Sequence, residues 1–283
     1  MITPEDSVEP LAPVLVVAGV RNEDSLGWAA ASAWLDKDPN NEVYVTVHSQ
    51  KAQDFLDTQR EELGVERVSW SETDWNDAEQ IARFQQNLTV AYGDERRIAG
   101  IVHSIARADV SNFSTPAHEL DSSVYTDAFL TSALSLQRVV KAAKDNLRDG
   151  AGIVTFGFGE PGRFTPGYGG AMSVAKAALS QMVVELAASL GRADPSARTF
   201  EIVTGYIPTQ SGKGVALAQR LRPRDVEARF AEAAVLGNAN SDLQRHAAGQ
   251  LAVSLIADEA YSQTTGQRIH TDAGWSLSSS KLL

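Results

Sequence analysis

The sequence predicts a single-domain α/β protein, a doubly wound parallel sheet of about seven strands with helices on both faces. Two features predict it. Short apolar runs of strand length alternate with longer helical patterns along the chain, and a glycine turn follows the first run, where such a sheet places its ligand.

Residues 14–18, Val-Leu-Val-Val-Ala, are apolar without alternation, as a strand covered on both faces requires, and the small and apolar positions from Ser25 to Leu35 suit a helix laid on it. The unit then repeats. Residues 43–47 form a second strand, 68–70 a weaker third and 98–103 a fourth. Residues 153–156 and 200–203 supply two more, separated by a long helix through Ala175, Leu179, Met182, Val183, Leu186 and Leu190, and residues 268–271 close the series. Strands alternating with helices of this length pair in parallel.

Composition sets limits. A chain of 283 residues with 43% hydrophobic and 22% charged residues builds a sizeable core, and no linker divides it. The absence of cysteine removes disulfides, thiolate metal sites and a cysteine nucleophile. Net charge −11 and a pI near 4.9 argue against nucleic acid or an anionic membrane as partner. Residues 1–12, with several acids and no apolar run after a basic start, read as a short disordered lead-in to a domain over 13–283. No segment approaches the roughly 20 apolar residues of a membrane span, and a cytoplasmic location is expected.

The turn after the first strand runs Gly19-Val20-Arg21-Asn22-Glu23-Asp24-Ser25-Leu26-Gly27, not a GxGxxG. Gly19 can make the tight turn and Gly27 the close helix approach. Ser25 reads either as a hydroxyl donor to phosphate or as an ordinary helix N-cap. Gly19 followed six residues later by Ser25-Leu26 resembles the divergent cofactor turn of the enoyl-acyl-carrier-protein reductases, a branch of the short-chain dehydrogenase/reductase superfamily with a Rossmann-type fold. His103-Ser104-Ile105-Ala106, Pro166-Gly167-Tyr168 with Met172 through Lys176, and Thr265-Gly266 through Asp272-Ala273-Gly274-Trp275 are similar to further blocks of that branch, in the same order.

The resemblance implies an NAD(P)H-dependent reduction of a conjugated double bond in an acyl thioester, carried on an acyl carrier protein or coenzyme A. A carbonyl or hydroxyl of a specialised metabolite is the alternative substrate, and a cofactor-binding chain without turnover a third reading. In this chemistry a tyrosine donates a proton, and a lysine holds the nicotinamide ribose and lowers the tyrosine pKa. Lys176 fits the lysine. The common tyrosine position of the superfamily, four residues earlier, is Met172, and the branch's position, seven earlier, is Gly169. Tyr168 lies eight before Lys176, which in a continuous helix would turn it about 80° off the lysine face; Gly169-Gly170 offers the backbone freedom for a loop or bulge that brings the hydroxyl back, and the alternative is a structural tyrosine. Phe158 resembles the branch's substrate-side aromatic, or is a strand-end core residue. The stretch 155–159 lacks the serine with which ordinary members polarise a carbonyl, which favours an enoyl substrate.

For the cofactor, the resemblance implies Gly19, Ser25 and Leu26 at the pyrophosphate, Asp74 and Trp75 beside adenine, Ser104, Ile105 and Ala106 along the nicotinamide, and Ile207 and Thr209 at its amide. His48 ends the second strand where an acid would select NAD(H), and Lys51 could meet an NADP(H) phosphate. The choice stays open, with a lean to NAD(H) from the resemblance. Residues 210–236 are expected to form a mobile lid, whose Lys213, Arg220, Arg222, Arg224 and Arg229 either meet an acidic carrier or form a solvated face. A homotetramer is expected, paired through the long helices flanking the fifth strand, one of them running through Phe129, Leu130, Ala133, Leu134, Val139 and Val140. No metal site is expected.

Overall fold

The computed structural model describes residues 11–107, 109–165, 168–237 and 239–278. Residues 1–10 of the expected lead-in, and Pro166-Gly167, lie outside them. Seven parallel strands make one sheet: β1 (Val14–Ala18), β2 (Glu42–Val47), β3 (Val68–Glu72), β4 (Ile98–His103), β5 (Leu147–Gly157), β6 (Arg198–Thr204) and β7 (Gln267–Thr271), in the order 3-2-1-4-5-6-7. The order reverses at β1 and β4, which opens a crevice at their carboxyl ends.

Alternate residues of each strand enter different cores. Leu15, Val17 and Val45 meet α1 (Leu26–Lys37) and α9 (Ser241–Ala257), whereas Val14, Val16 and Ile153 meet α3 (Ala78–Tyr92), α5 (Ser135–Ala143) and α6 (Gly170–Ala193). Between them the chain forms α2 (Gln50–Leu63) and α4 (Ser122–Phe129), and later α7 (Gln210–Ala218) and α8 (Pro223–Ala233).

Several expectations are corrected. β5 begins at Leu147, ahead of the expected residue 153, because its first residues pair with β4 despite Arg148, Asp149 and Gly150 breaking the apolar run. The helix expected through Phe129 and Val140 is α4 and α5 joined by a π-helical segment, Leu130–Leu134, within which the Ser132 hydroxyl bonds both the N–H and the carbonyl of Arg107. α6 is long and apolar enough to cross a bilayer by length and composition alone, against the expectation that no segment comes near. Lys176, Ser180 and Glu185 interrupt its apolar run, and it packs on β5 and β6 as a core helix.

Candidate active site

A cleft of about 600 Å³ lies at the carboxyl ends of β1, β2, β4, β5 and β6. Every residue expected at the site lines it: Gly19, Ser25, Leu26, His48, Asp74 and Trp75 at one end, and Ser104, Ile105, Ala106, Phe158, Tyr168, Lys176, Ile207 and Thr209 toward the other.

The turn after β1 is built for close approach. Gly19 has φ +98°, and a Cβ there would lie 2.7 Å from the Ser104 carbonyl oxygen and 2.8 Å from Ile105 Cγ1. At Gly27 a Cβ would lie 2.9 Å from the Gly19 carbonyl oxygen. Ser25 fits neither of its two readings simply. Its hydroxyl accepts from Arg21 N (3.0 Å) and Asn22 N (3.1 Å), donates to Asn22 Oδ1 (3.2 Å) and makes no cap bond, so it braces the turn and leaves the first-turn amides of α1 uncapped by a side chain. Gly19→Ala forces a left-handed backbone and the collision with Ser104, and is expected to lower stability by about 1–2 kcal/mol and nucleotide affinity by roughly tenfold or more. Denaturant unfolding and nucleotide titration check the two effects.

Trp75 reaches the cleft wall, but its indole turns inward, edge-on to Phe84 at 5.0 Å and donating to Thr46 Oγ1 at 3.2 Å. The Asp74 carboxylate accepts from Asn76 N at 2.8 Å. His48 is exposed, and Lys51 does not line the cleft, whereas Arg21 and Ser49, which the sequence reading did not select, do.

At the other end the helix break falls where the spacing requires it. α6 starts at Gly170, with Gly169 at φ +68° as its cap, so Tyr168 precedes the helix and turns into the cleft. It packs with Met172 and Val215, 4.6 Å from the Phe158 ring and 6.3 Å from the Phe113 ring. Phe158 also stacks on Trp275 at 6.0 Å, and Trp275 on Phe230 of α8 at 4.4 Å, which joins α8 to the site. Lys176 is buried and donates to the Phe156 carbonyl at 2.7 Å. Burial pushes its pKa down to about 8, opposed by the Glu201 carboxylate, so the ammonium form still prevails at neutral pH. The expected lowering of the tyrosine pKa is corrected. Burial, reinforced by Glu201, pushes the Tyr168 hydroxyl well above its ordinary value, which keeps it a proton donor.

The stretch without serine has a structural counterpart. Gly157 faces Glu201 of β6, and a Cβ at 157 would collide with Glu201 Oε1. His103, at the end of β4, is buried between Thr155 Oγ1 and Ser135 Oγ, each 2.8 Å from a ring nitrogen, and burial, with the Lys176 charge behind it, lowers its pKa to about 3. The unfolded chain therefore binds the extra proton between pH 6.5 and about 3. The stability that neutral His103 contributes is present above pH 6.5 and is lost as pH falls through that window, by up to several kcal/mol. Urea unfolding across this range is expected to show the slope, and His103→Gln to flatten it.

On α7, Lys213 is 3.8 Å from Asp24 of the turn after β1, and at the start of α8 Arg222 pairs with Asp225 at 2.7 Å. No group of three metal-binding side chains occurs among the described residues.

A doubly wound sheet with a crevice at its reversal point, a left-handed glycine after β1 and a buried lysine at the start of α6 define a Rossmann-type protein of the short-chain dehydrogenase/reductase superfamily. A family model described as Enoyl-(Acyl carrier protein) reductase matches residues 19–276, and the chain belongs to that family. It is 30% identical over 201 residues to the enoyl-[acyl-carrier-protein] reductase [NADH] of Enterococcus faecalis, covering 71% of this chain and 76% of that one. It is 28% identical over 260 residues to the [NADPH] enzyme of Staphylococcus aureus, covering 92% and 95%. The match to the [NADH] enzyme of Bacillus subtilis, 31% identical over 180 residues, spans 64% of this chain and 65% of the relative. The Bacillus cereus enoyl-acyl carrier protein reductase, solved with NADP+ and indole naphthyridinone, superposes with a TM-score of 0.81 at 25% identity, over 94% of this chain and 96% of that one.

Proposed function

We propose that the chain is an NAD(P)H-dependent enoyl-thioester reductase that saturates a double bond conjugated to the thioester carbonyl. The observation that carries this reading is the convergence of Tyr168, Lys176 and Phe158 at the carboxyl end of β5. Met172 occupies the usual tyrosine position on the same wall, and no serine side chain projects at 157. That arrangement puts the Tyr168 hydroxyl beside Lys176 as the donor for an enolate and leaves no serine hydroxyl at the end of β5 to polarise a ketone.

The cradle suits a dinucleotide. The Cβ-free surfaces at Gly19 and Gly27 and the amides of α1 would hold the pyrophosphate, Asp74 and Trp75 the adenine side, Ser104, Ile105 and Ala106 the nicotinamide side, and Ile207 and Thr209 its amide. When bound, the reduced nicotinamide supplies the hydride. Lys176 exchanges the Phe156 carbonyl for the ribose, and Tyr168 donates its hydroxyl proton toward the enolate oxygen. The packed rings of Phe158, Phe230 and Trp275 exclude water from that end.

At the end of β2 no acid stands against a ribose phosphate, and Arg21 and His48 line the wall, so both NADH and NADPH are expected to bind. Fluorescence titration with each compares them. The acyl group is carried on an acyl carrier protein, as the names of the relatives have it, and coenzyme A thioesters serve as shorter surrogates. The chain is expected to act as a tetramer, with exposed Phe129, Val174 and Val184 of α4 and α6 in the interfaces. A monomeric mass at micromolar concentration would refute the assembly.

A trans-2-enoyl thioester and a β-ketoacyl thioester, offered separately with NADH and with NADPH, test the reading. The enoyl substrate is expected to turn over and the ketone to be inert. Ketone turnover alone would move the assignment to carbonyl reduction, and cofactor binding with neither substrate consumed would leave a binding protein.

A further inference from the structure

Lys176 and Tyr168 share a buried neighbour for which the cleft itself has no use. Glu201 of β6 is 1% exposed. Its strand neighbours Phe200 and Ile202 pack toward α9, so Glu201 points to the opposite face, under α6. Oε2 pairs with Arg268 Nε at 2.7 Å, the two residues lying directly opposite in the β6–β7 register. Arg268 in turn binds Glu160 Oε2 at 2.7 Å and the Gly159 carbonyl at 2.9 Å, which ties the segment after Phe158 to the same charge.

Oε1 of Glu201 has no hydrogen-bond partner among the described residues. A buried carboxylate oxygen without a donor is costly. What Oε1 does face is Gly157, whose missing Cβ makes its room. Lys176 Nζ holds the Phe156 carbonyl, so the ammonium and the free carboxylate oxygen flank the single peptide unit that joins Phe156 to Gly157.

We propose that Glu201, held by Arg268, is a positioning residue that serves as the internal counter-charge of Lys176, keeping its ammonium protonated and aimed at the cleft when it leaves the Phe156 carbonyl for the cofactor ribose. The inference rests on the reading of Lys176 as the ribose-holding group. Glu201 raises the pKa of Lys176 against burial, and raises that of Tyr168 as well, so one carboxylate keeps a proton on both members of the pair. The other groups facing Lys176 do not replace it. His103 of β4 is neutral and hydrogen-bonded, and Tyr168 is protonated. Glu160, which shares a smaller hollow of about 190 Å³ with Lys176, is committed to Arg268 and to His270 Nε2 at 3.0 Å.

The test is NADH affinity by fluorescence titration from pH 6 to 10, without substrate, for the parent, Lys176→Met, Glu201→Gln and the doubly neutral Glu201→Gln/Arg268→Gln. The parent is expected to lose affinity on an alkaline limb centred near the Lys176 pKa of about 8, and Lys176→Met to bind weakly without that limb. Removing the carboxylate lowers the lysine pKa, so in Glu201→Gln the limb should move down by about one pH unit while affinity at pH 6 stays within about twofold of the parent. The double variant should behave alike, and it removes the uncompensated arginine should the single variant be unstable. A limb that vanishes in Lys176→Met but keeps its midpoint in both glutamate variants overturns the proposal, as does an equal loss at every pH, which would mark a structural role. A limb that persists in Lys176→Met overturns the ribose-holding role of Lys176 instead.

Discussion

Lys176→Met is expected to reduce kcat/KM by about 10³-fold or more, because it removes a charged donor from the ribose and the field that steadies the developing enolate. Steady-state kinetics with an enoyl thioester measure the loss. The same variant is expected to fold at least as well as the parent. A buried lysine whose pKa falls from 10.5 to about 8 binds fewer protons when folded than when unfolded between those values, so folding is opposed by the ammonium below pH 8 and relieved as pH rises toward 10.5. The opposing effect is about 3 kcal/mol at most, and the bond to the Phe156 carbonyl offsets part of it. Methionine carries no charge to bury. Activity lost together with unchanged or improved thermal stability would separate the functional role of Lys176 from a structural one.

Tyr168→Phe keeps the ring against Phe158 and Phe113 and removes only the hydroxyl. It should leave NADH affinity within about twofold and lower kcat by about 10²-fold or more, the range of a single positioned proton donor. Parent-like turnover across pH would end the catalytic role of Tyr168. The next candidate is Tyr206, which lines the same cleft with a buried hydroxyl and a pKa pushed up by burial to about 12.

The cleft was legible because its parts follow strand ends, and strand ends are where apolar runs stop. The runs 14–18 and 98–103 end where Gly19 and Ser104 follow, and the resemblance supplied the roles of Ser104 and Ile207. Tyr168 was picked out by the resemblance, and its unusual spacing of eight residues from Lys176 drew attention to the glycines, of which Gly169 takes the positive φ that ends the helix. Side-chain direction was not. Ser25 folds back on Arg21 and Asn22 of its own turn, and the Trp75 indole enters the core against Thr46 and Phe84, neighbours that the sequence does not pair with it.

The start of β5 was missed because Arg148, Asp149 and Gly150 interrupt the apolar run, whereas pairing of Leu147 with Ile98 begins the strand ahead of them. The Glu201–Arg268 pair joins residues 67 apart, and only the β6–β7 register reveals it. In the sequence Glu201 looks like a lone acid in an apolar strand.

The central claim is that hydride passes from the nicotinamide to a conjugated carbon at the site of Tyr168 and Lys176. Mass analysis of the product formed from a trans-2-enoyl thioester and NADH deuterated at the transferring position tests it directly. The account predicts a saturated thioester with one deuterium on the β-carbon, formed by the parent and lost with Lys176→Met. Deuterium on a carbinol carbon, or cofactor bound with no label transferred from either face, would contradict it.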